Sequence, residues 1–318
     1  MTLSQIAEYI LKSKKIGITY HVSPDGDAVG STIAMYILLK RLGKEVDIVL
    51  DTLPKRFNFL KEYQDIKKES TKKYDTAVIL DTGSIDRVNS AYLLDTVSKK
   101  LVIDHHMTNT MYGDVNLVEN YPACCEIIYN LIKEMNVSID EDLALPLAVG
   151  LLTDTGGFAH QNVLPSTFTM AAELSSLVDL SDIYKKVLRT ITINQFNIKK
   201  KALDNLELYN NNALAVSFIT SEDMEKYNVD EDECGILVGI PLEIDTVEVS
   251  IFLRKYPNQT RVSLRSGHID VSRIASIFGG GGHVNAAGIT TAMPYKELKE
   301  KLIIEVGKSI NEWNNCYK

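Results

Sequence analysis

Acidic and histidine side chains occur in four groups along the first half of this 318-residue sequence. The groups are His21 with Asp25 and Asp27, then Asp81, then Asp104-His105-His106, and finally Asp154. Carboxylate oxygens and imidazole nitrogens are ligands that together suit Mn²⁺. Asp25 and Asp27 flank a single glycine, and carboxylates held so close repel each other unless cations lie between them. The residue types therefore predict a metal centre.

Phosphate-ester hydrolysis is the chemistry that such a centre would serve. The reaction needs a nucleophile at neutral pH and positive charge that neutralises the phosphate. Two divalent ions about 3.5–4 Å apart can supply both, with a carboxylate shared between them. Gly26 and Gly30 would let the backbone turn tightly around the ions.

The predicted elements explain how groups far apart in the sequence could meet. Apolar runs at 16–20, 46–50, 77–80 and 101–103 predict strands, and helical patterns such as 28–42 separate them. Strands that alternate with helices indicate a parallel, doubly wound sheet, in which sites form at the carboxyl ends of strands. One Asp after a strand is more often a helix cap, and one buried His is more often a core residue. Four such groups in succession favour the metal centre.

The sequence around these groups resembles the DHH phosphoesterase family. The similar segments are HVSPDGDAVGS at 21–31, ILDTG around Asp81, Asp104-His105-His106, and TDTGG around Asp154, in the order of the family's motifs. RVSLRSG at 261–267 and FGGGGHVNAAG at 278–288 resemble the first subtype of the DHH-associated C-terminal domain. RecJ-type exonucleases and the bacterial nanoRNase/pAp phosphatases carry this subtype. The resemblance covers nearly the whole chain.

This resemblance implies two bound Mn²⁺ ions, with Mg²⁺ or Co²⁺ as substitutes. The first ion would be held by His21, Asp25 and Asp81. The second would be held by Asp27, Asp81, His105 and Asp154, so that Asp81 bridges the pair. A water or hydroxide between the ions would then be the nucleophile.

Two catalytic residues outside the ligand set are also implied by the resemblance. His106 would lie beside the substrate phosphate as a hydrogen-bond donor or general acid. Asp104 would orient the histidines, which is a common role for a carboxylate near a ligating histidine.

A run of four glycines, Gly279 to Gly282, precedes His283 in the second half of the chain. Glycine-rich segments let backbone N–H groups approach an anion, and a nearby arginine can bind phosphate through two hydrogen bonds. A GGGGH segment alone is more often a flexible turn, but the resemblance implies a clamp for the terminal phosphate and base of the substrate. The predicted substrate-binding residues are Arg265, Ser266, Gly280, Gly281, Gly282 and His283, and further Arg254, Arg261 and Asn285.

The change in sequence character near residue 210 predicts two α/β domains with a cleft between them. Residues 1–190 would form the catalytic DHH domain, 191–210 a helical linker, and 211–318 a smaller substrate-binding domain. Binding in a single cleft would favour short substrates. Strands of the smaller domain are predicted at 213–219, 247–254 and 260–265.

Composition narrows the range of partners. The formal charge of -8 argues against a long nucleic-acid duplex, because proteins that bind duplexes usually carry a basic face. The four cysteines form no CxxC pair, and no stretch has the length and apolarity of a signal peptide or membrane span. We therefore expect a cytoplasmic protein without a membrane partner. The oligomeric state stays open, with a homodimer as one option.

The leading hypothesis is a Mn²⁺-dependent enzyme that hydrolyses short oligoribonucleotides to mononucleotides and 3′-phosphoadenosine 5′-phosphate to AMP. A phosphodiesterase for cyclic or linear dinucleotides could use the same two domains and is the alternative. A type II inorganic pyrophosphatase would share the first domain, but GGGGH and RSG argue against it. A non-catalytic nucleotide-binding module, or a scaffold, would be free to lose metal ligands, and every matching position here is intact.

Overall fold

The computed structural model describes residues 1–51 and 54–317 of the chain. Lys318, the last residue of the predicted C-terminal domain, lies outside that part. Two compact units are present, Met1–Thr190 and Ile191–Lys318. Within the described ranges, every helix is too short or too polar to cross a bilayer.

The first unit alternates strands with helices, as the periodicity predicts. Its elements are α1 (Leu3–Lys12), β1 (Lys15–Thr19), α2 (Gly26–Arg41), β2 (Glu45–Ile48), β3 (Thr76–Leu80), α3 (Tyr92–Asp95), β4 (Lys99–Asp104), β5 (Val115–Val118), α4 (Cys124–Glu134), α5 (Glu141–Asp154), α6 (Pro165–Ser175) and α7 (Leu180–Tyr184). The five strands are all parallel and lie in the order β2-β1-β3-β4-β5. This sheet confirms the predicted fold class, and the edge strand β5 is an addition to the predicted strands.

The two faces of this sheet are covered unequally. On one face, Val78 and Ile103 belong to the main core, together with side chains of α1, α2, α4 and α5. On the other face, Ile79 and Val102 pack in a smaller cluster with α3. Because both faces are buried, the middle residues of the central strands β1, β3 and β4 are apolar. Polar side chains are therefore left to the strand ends.

Helices α2 and α5 approach closely beside those strand ends. A Cβ atom on Gly30 would lie 2.4 Å from the carbonyl oxygen of Pro146, so only glycine fits there. Asp25 begins α2 as a helix cap, because its Oδ1 accepts hydrogen bonds from the backbone N–H groups of Asp27 and Ala28. The expected tight turn at Gly26 and Gly30 is wrong, since both glycines lie inside α2 and serve helix packing instead.

The second unit is built on a mixed sheet of six strands. Its elements are α8 (Ile193–Asp204), β6 (Glu207–Tyr209), β7 (Leu214–Thr220), α9 (Ser221–Tyr227), β8 (Val249–Lys255), β9 (Thr260–Ser266), α10 (Val271–Ile277), β10 (Gly281–His283), β11 (Ala286–Thr291) and α11 (Tyr295–Tyr317). The strand order is β10-β11-β9-β8-β7-β6, and within this described sheet only β7 and β8 pair in parallel. The role of residues 191–210 as a linker stays a prediction.

One face of this second sheet forms a core with the long C-terminal helix. Val262 and Leu264 of β9 pack there with Leu298 and Leu302 of α11. Phe252 points to the opposite face, where it packs with residues of α8 and of the 3₁₀ segment Asp232–Glu243. Arg261, Ser263 and Arg265 of β9 alternate with the buried residues and therefore share this opposite face.

Candidate metal centre and arginine face

The predicted ligand groups meet at the carboxyl edge of the five-stranded sheet. Three sets of side chains each offer ligand atoms that lie within 4.8 Å of one another. The sets are His21-Asp25-Asp81, Asp27-His105-Asp154 and Asp81-Asp104-His105-His106. Because Asp81 and His105 each belong to two sets, the sets form one continuous cluster. It contains every residue that was predicted as a metal ligand or catalytic group.

Asp27 is held by the N-terminus of α4. Its carboxylate oxygens accept hydrogen bonds from the backbone N–H groups of Cys124 and Cys125. The positive end of a helix dipole favours a carboxylate at this place. Burial, followed by the negative charge of Asp81, nevertheless raises the pKa of Asp27 to about 7. The carboxylate of Asp27 is therefore fixed in position, but the positive charge around it does not fully neutralise it.

Asp81 follows β3 in the left-handed backbone conformation, with φ of 51°. Such values are uncommon outside glycine and cluster at functional sites. The turn brings its Oδ2 to 3.5 Å from His21 Nε2 and its Oδ1 to 3.3 Å from His105 Nε2. Even so, the buried Oδ1 accepts no well-directed hydrogen bond from any described residue. A buried carboxylate oxygen without a donor calls for an ion or water as partner.

His21 and His105 present the same ring nitrogen to the cluster. Their Nδ1 atoms lie 2.7 Å from the carbonyl oxygen of Val22 and 3.1 Å from that of Tyr121. An Nδ1–H that donates to a carbonyl turns the Nε2 atom towards the carboxylates, which is the orientation of metal-ligating histidines. Burial lowers the pKa of His105, but the close approach of Asp81 and the charges of Asp27 and Asp154 outweigh burial and raise this pKa to about 10.

Asp154 is the last residue of α5, where the helix dipole disfavours a negative charge. Its Oδ2 lies 3.4 Å from His105 Nε2. Burial, followed by the charges of Asp27 and Asp25, raises the pKa of Asp154 to about 10. The carboxylate form is therefore costly unless a cation binds beside it.

The charges of this cluster are not balanced by the protein. Its ion pairs all join a carboxylate to a histidine, and no lysine or arginine of the described ranges takes part. A surplus of buried carboxylates, two histidines whose Nε2 atoms face them and a carboxylate oxygen without a hydrogen-bond donor form a donor set that fits divalent cations. We refer to this cluster as the metal centre.

His106 is oriented by a chain of hydrogen bonds that ends at Asn109. His106 Nδ1 lies 2.7 Å from Asp104 Oδ1, and Asn109 Nδ2 donates to Asp104 Oδ2 at 2.6 Å. The hydrogen bond with Asp104 raises the pKa of His106, and the ring stays 46% exposed. Asn109 was not predicted as a site residue. In the sequence, Asn109 could have been noticed only because it lies three residues after Asp104-His105-His106, in the loop that connects β4 to β5.

The second unit places three arginines on one face of its sheet, which we call the arginine face. Strands β8 and β9 are antiparallel neighbours, with Arg254 opposite Arg261 and Ser250 opposite Arg265. Directly opposite residues of an antiparallel pair share a face. The predicted substrate-binding arginines are thus brought together.

Glu231 neutralises two of these arginines. Its carboxylate lies 3.1 Å from Arg254 Nη1 and 2.6 Å from Arg261 Nη1, and Tyr256 donates its hydroxyl to the same group at 2.8 Å. Arg265 instead donates to the backbone carbonyl of Leu264 and has no acidic partner in the described part of the chain. Burial, followed by the charge of Arg254, lowers the pKa of Arg265. No sequence signal points to Glu231, which lies 30 residues from Arg261.

The glycine run forms the edge of the same sheet, where β10 pairs with β11. A Cβ atom on Gly280 would lie 2.2 Å from the carbonyl oxygen of Gly288. One on Gly282 would lie 2.4 Å from the carbonyl oxygen of Ala286. Glycine is therefore required for close strand pairing, whatever binds there. Gly281 is exposed and has open space around its Cα atom.

The remaining predicted substrate-binding residues differ in accessibility. His283 and Asn285 are exposed at the strand edge. Ser266 is buried, and its hydroxyl oxygen accepts hydrogen bonds from the backbone N–H groups of His268 and Ile269. The hydroxyl of Ser266 is thus engaged in holding the turn after β9.

Family models match both units of the chain. The model described as the DHH family, N-terminal domain, matches residues 15–151. The model described as the DHHA1 domain matches residues 211–312. The matched ranges contain most of the metal centre and the whole arginine face.

Named proteins resemble the chain over most of its length. A protein of Thermus thermophilus named bifunctional oligoribonuclease and PAP phosphatase NrnA is 34% identical, over 86% of this chain and 83% of its own length. A cyclic-di-AMP phosphodiesterase, PdeA, of Listeria monocytogenes is 23% identical over 96% of this chain but only 48% of its own. The crystal structure of an exopolyphosphatase-related protein from Bacteroides fragilis aligns with a TM-score of 0.86 and 27% identity, covering 96% of both chains.

Proposed function

This chain is a phosphoesterase of the DHH family, and on that basis we propose that it hydrolyses short oligoribonucleotides to mononucleotides and 3′-phosphoadenosine 5′-phosphate to AMP, with two Mn²⁺ ions as cofactors. The substrates follow from the name of the Thermus thermophilus relative, which is similar over both units. The observation that carries the proposal is the continuous cluster in which Asp81 lies between two ligand sets.

The proposed ligands divide between the two ions along those sets. His21, Asp25 and Asp81 would hold one ion. Asp27, His105 and Asp154 would hold the other, with Asp81 shared. Bound Mn²⁺ ions would lower the pKa of a coordinated water and neutralise charge on the scissile phosphate.

The protein's own groups would do the remaining work. Asp104 and Asn109 keep the Nδ1–H of His106 in place, so that its exposed Nε2 can donate a proton or hydrogen bond to a phosphate oxygen. Arg265, with the exposed His283 and Asn285, would bind a further phosphate or base of the substrate. Ser266 would support Arg265 indirectly through the turn after β9.

A substrate panel tests this function. The full-length protein with Mn²⁺ is given an RNA dinucleotide, an RNA pentanucleotide, a much longer RNA, 3′-phosphoadenosine 5′-phosphate, cyclic di-AMP and pyrophosphate. Fast turnover of the short RNAs and of the bisphosphate, with the long RNA spared, is expected. Preference for pyrophosphate would contradict the substrate assignment and leave the metal chemistry intact.

Cyclic dinucleotides are the second candidate substrate. The similarity to the Listeria monocytogenes cyclic-di-AMP phosphodiesterase extends over 96% of this chain, which favours testing them. Cyclic di-AMP hydrolysis at a higher kcat/KM than the RNA dinucleotide would replace the first proposal with this one.

A further inference from the structure

Two of the three arginines on the arginine face are already paired with a carboxylate and are therefore not free to bind a ligand. Arg254 and Arg261 stand directly opposite each other on β8 and β9. Like charges at directly opposite positions of an antiparallel pair repel each other. The carboxylate of Glu231 bridges the two guanidinium groups and removes that repulsion.

Further hydrogen bonds hold Glu231 and Arg254 in this arrangement. Tyr256 donates its hydroxyl to the carboxylate, and Ser263 Oγ lies 2.9 Å from Arg254 Nη2. The contacts of Arg261 and Tyr256 with Glu231 keep the pKa of this carboxyl below its usual range, although burial alone would raise it. Glu231 therefore stays ionised near neutral pH.

Open space lies directly beside this bridge. A surface depression of about 510 Å³ is lined by Glu231, Arg254, Arg261, Ser263 and the glycines at 279–281. The Nε atoms of Arg254 and Arg261 are buried without a hydrogen-bond acceptor among the described residues. A phosphate group that approached the Nη atoms of these two arginines would compete with Glu231 for them.

We propose that Glu231 is a specificity-determining residue that withholds Arg254 and Arg261 from phosphate, so that the arginine face binds one phosphate, at Arg265, and selects short substrates. The proposal rests on the proposed function, because it assumes a phosphorylated oligonucleotide as ligand. A longer oligonucleotide brings additional phosphates, and these gain nothing from arginines that are already neutralised. The limit on substrate length is thus partly a matter of charge within the second unit.

Binding of a length series to full-length protein tests this proposal. Slowly hydrolysed phosphorothioate-linked RNAs of two and of five nucleotides are titrated against wild type and Glu231→Gln, with fluorescence anisotropy as the readout. We expect Glu231→Gln to raise the affinity ratio of pentanucleotide to dinucleotide about tenfold, the effect of one charged hydrogen bond. We also expect a steeper dependence of its pentanucleotide affinity on salt, because more phosphate charge is neutralised.

Glu233→Gln is the matched control, because it changes the net charge equally. Glu233 lies two residues further along and contacts Gln195 Nε2 and the backbone N–H of Asp230 rather than the arginines. Its affinity ratio should equal that of wild type. If Glu231→Gln fails to fold, Glu231→Asp keeps the charge but is too short to bridge both arginines, and we expect the ratio to rise about threefold.

Two results would overturn the proposal. One is an unchanged ratio in the folded variant, which would make Glu231 purely structural. The other is an equal rise in Glu233→Gln, which would reduce the effect to net charge. Failure of the proposed function looks different, because wild type would then leave the phosphodiester forms of both RNAs uncleaved.

Discussion

The metal centre and the arginine face each gather like charges on a small surface, but they neutralise these charges differently. In the metal centre, Asp27, Asp81 and Asp154 are balanced only in part, by histidines. On the arginine face, Glu231 pairs with both Arg254 and Arg261. In our proposal, the unbalanced carboxylates bind divalent cations. The arginines paired with Glu231 are withheld from the additional phosphates of longer substrates.

A third cluster sharpens this comparison, because it shows how the protein neutralises a buried carboxylate outside the metal centre. Asp47 on β2 is buried, and Lys67 and Lys72 approach its two oxygens at 2.5 Å and 2.8 Å. These contacts keep the pKa of Asp47 below its usual range, although burial would raise it. Lysines thus neutralise this buried carboxylate, whereas no lysine of the described ranges pairs with a carboxylate of the metal centre.

Asp81→Asn is expected to have the largest effect. The change keeps the shape of the side chain but removes the charge that both ligand sets share. We expect kcat to fall about 10³-fold, because a catalytic metal contributes several kcal/mol. Asp47→Asn is the control, which should lower the melting temperature and leave kcat near that of wild type. Equal kcat for Asp81→Asn and wild type would contradict the shared-ligand assignment.

Arg265→Gln tests the arginine face. Arg265 is the one of the three arginines without an acidic partner in the described chain, so its loss should weaken substrate binding. We expect KM to rise about 10- to 100-fold with little change in kcat, as for the loss of a charged hydrogen bond. Steady-state kinetics on the RNA dinucleotide measure this. A fall in kcat with constant KM would instead assign Arg265 to the chemical step.

Asn109→Ala tests the chain of hydrogen bonds that ends at His106. Without Asn109, Asp104 loses the donor to its Oδ2, and His106 loses part of its orientation. We expect a fall in kcat of about tenfold at constant KM, as for the loss of other side chains that orient a histidine through a hydrogen-bonded carboxylate. Asn116→Ala is the control, since Asn116 holds the same loop through Gly113 without reaching Asp104. Equal losses in both variants would reduce Asn109 to a loop residue.

The pH dependence of stability is the smallest predicted effect. In metal-free protein, burial holds the pKa of Asp154 at about 10, and contacts with carboxylates hold that of His105 at about 10. The folded state therefore binds more protons than the unfolded state, whose values are 3.8 and 6.5. Stability must then fall as the pH rises from 6.5 towards 10.

Calorimetry with and without Mn²⁺ measures this effect. We expect the melting temperature of chelator-treated protein to fall by about 5 °C across that range. Bound Mn²⁺ replaces the protons and should flatten the slope, and Asp154→Asn should flatten it without metal. A melting temperature of metal-free wild type that rises with pH would contradict the charge surplus.

The proximity of the strand-end site residues could be predicted because one short segment of sequence carries both the strand and the polar residue that follows it. Asp81 after AVIL and Asp104 after LVI are examples, and the parallel sheet then brings them together. The sequence pattern also predicted one cluster rather than separate helix caps, and the cluster is present, although Asp25 is a helix cap as well.

The residues that were missed act through contacts between distant segments. Glu231 pairs with Arg261, which lies 30 residues away in the sequence. Asn109 contacts Asp104 and Thr82 only because its loop folds back against the ends of β3 and β4. Strands β10 and β11 escaped prediction because glycine and alanine carry little strand propensity. Their pairing is decided by close backbone approach, as at Gly282, and not by an alternating pattern.

In our proposal, two divalent ions neutralise the carboxylates of the metal centre. The most direct test is the Mn²⁺ content of full-length protein, measured by titration calorimetry after chelator treatment, for wild type and Asp81→Asn. We predict two ions per chain for wild type, with release of protons on binding, and fewer than two for Asp81→Asn. No bound Mn²⁺ in wild type, or two ions in both proteins, would contradict the account.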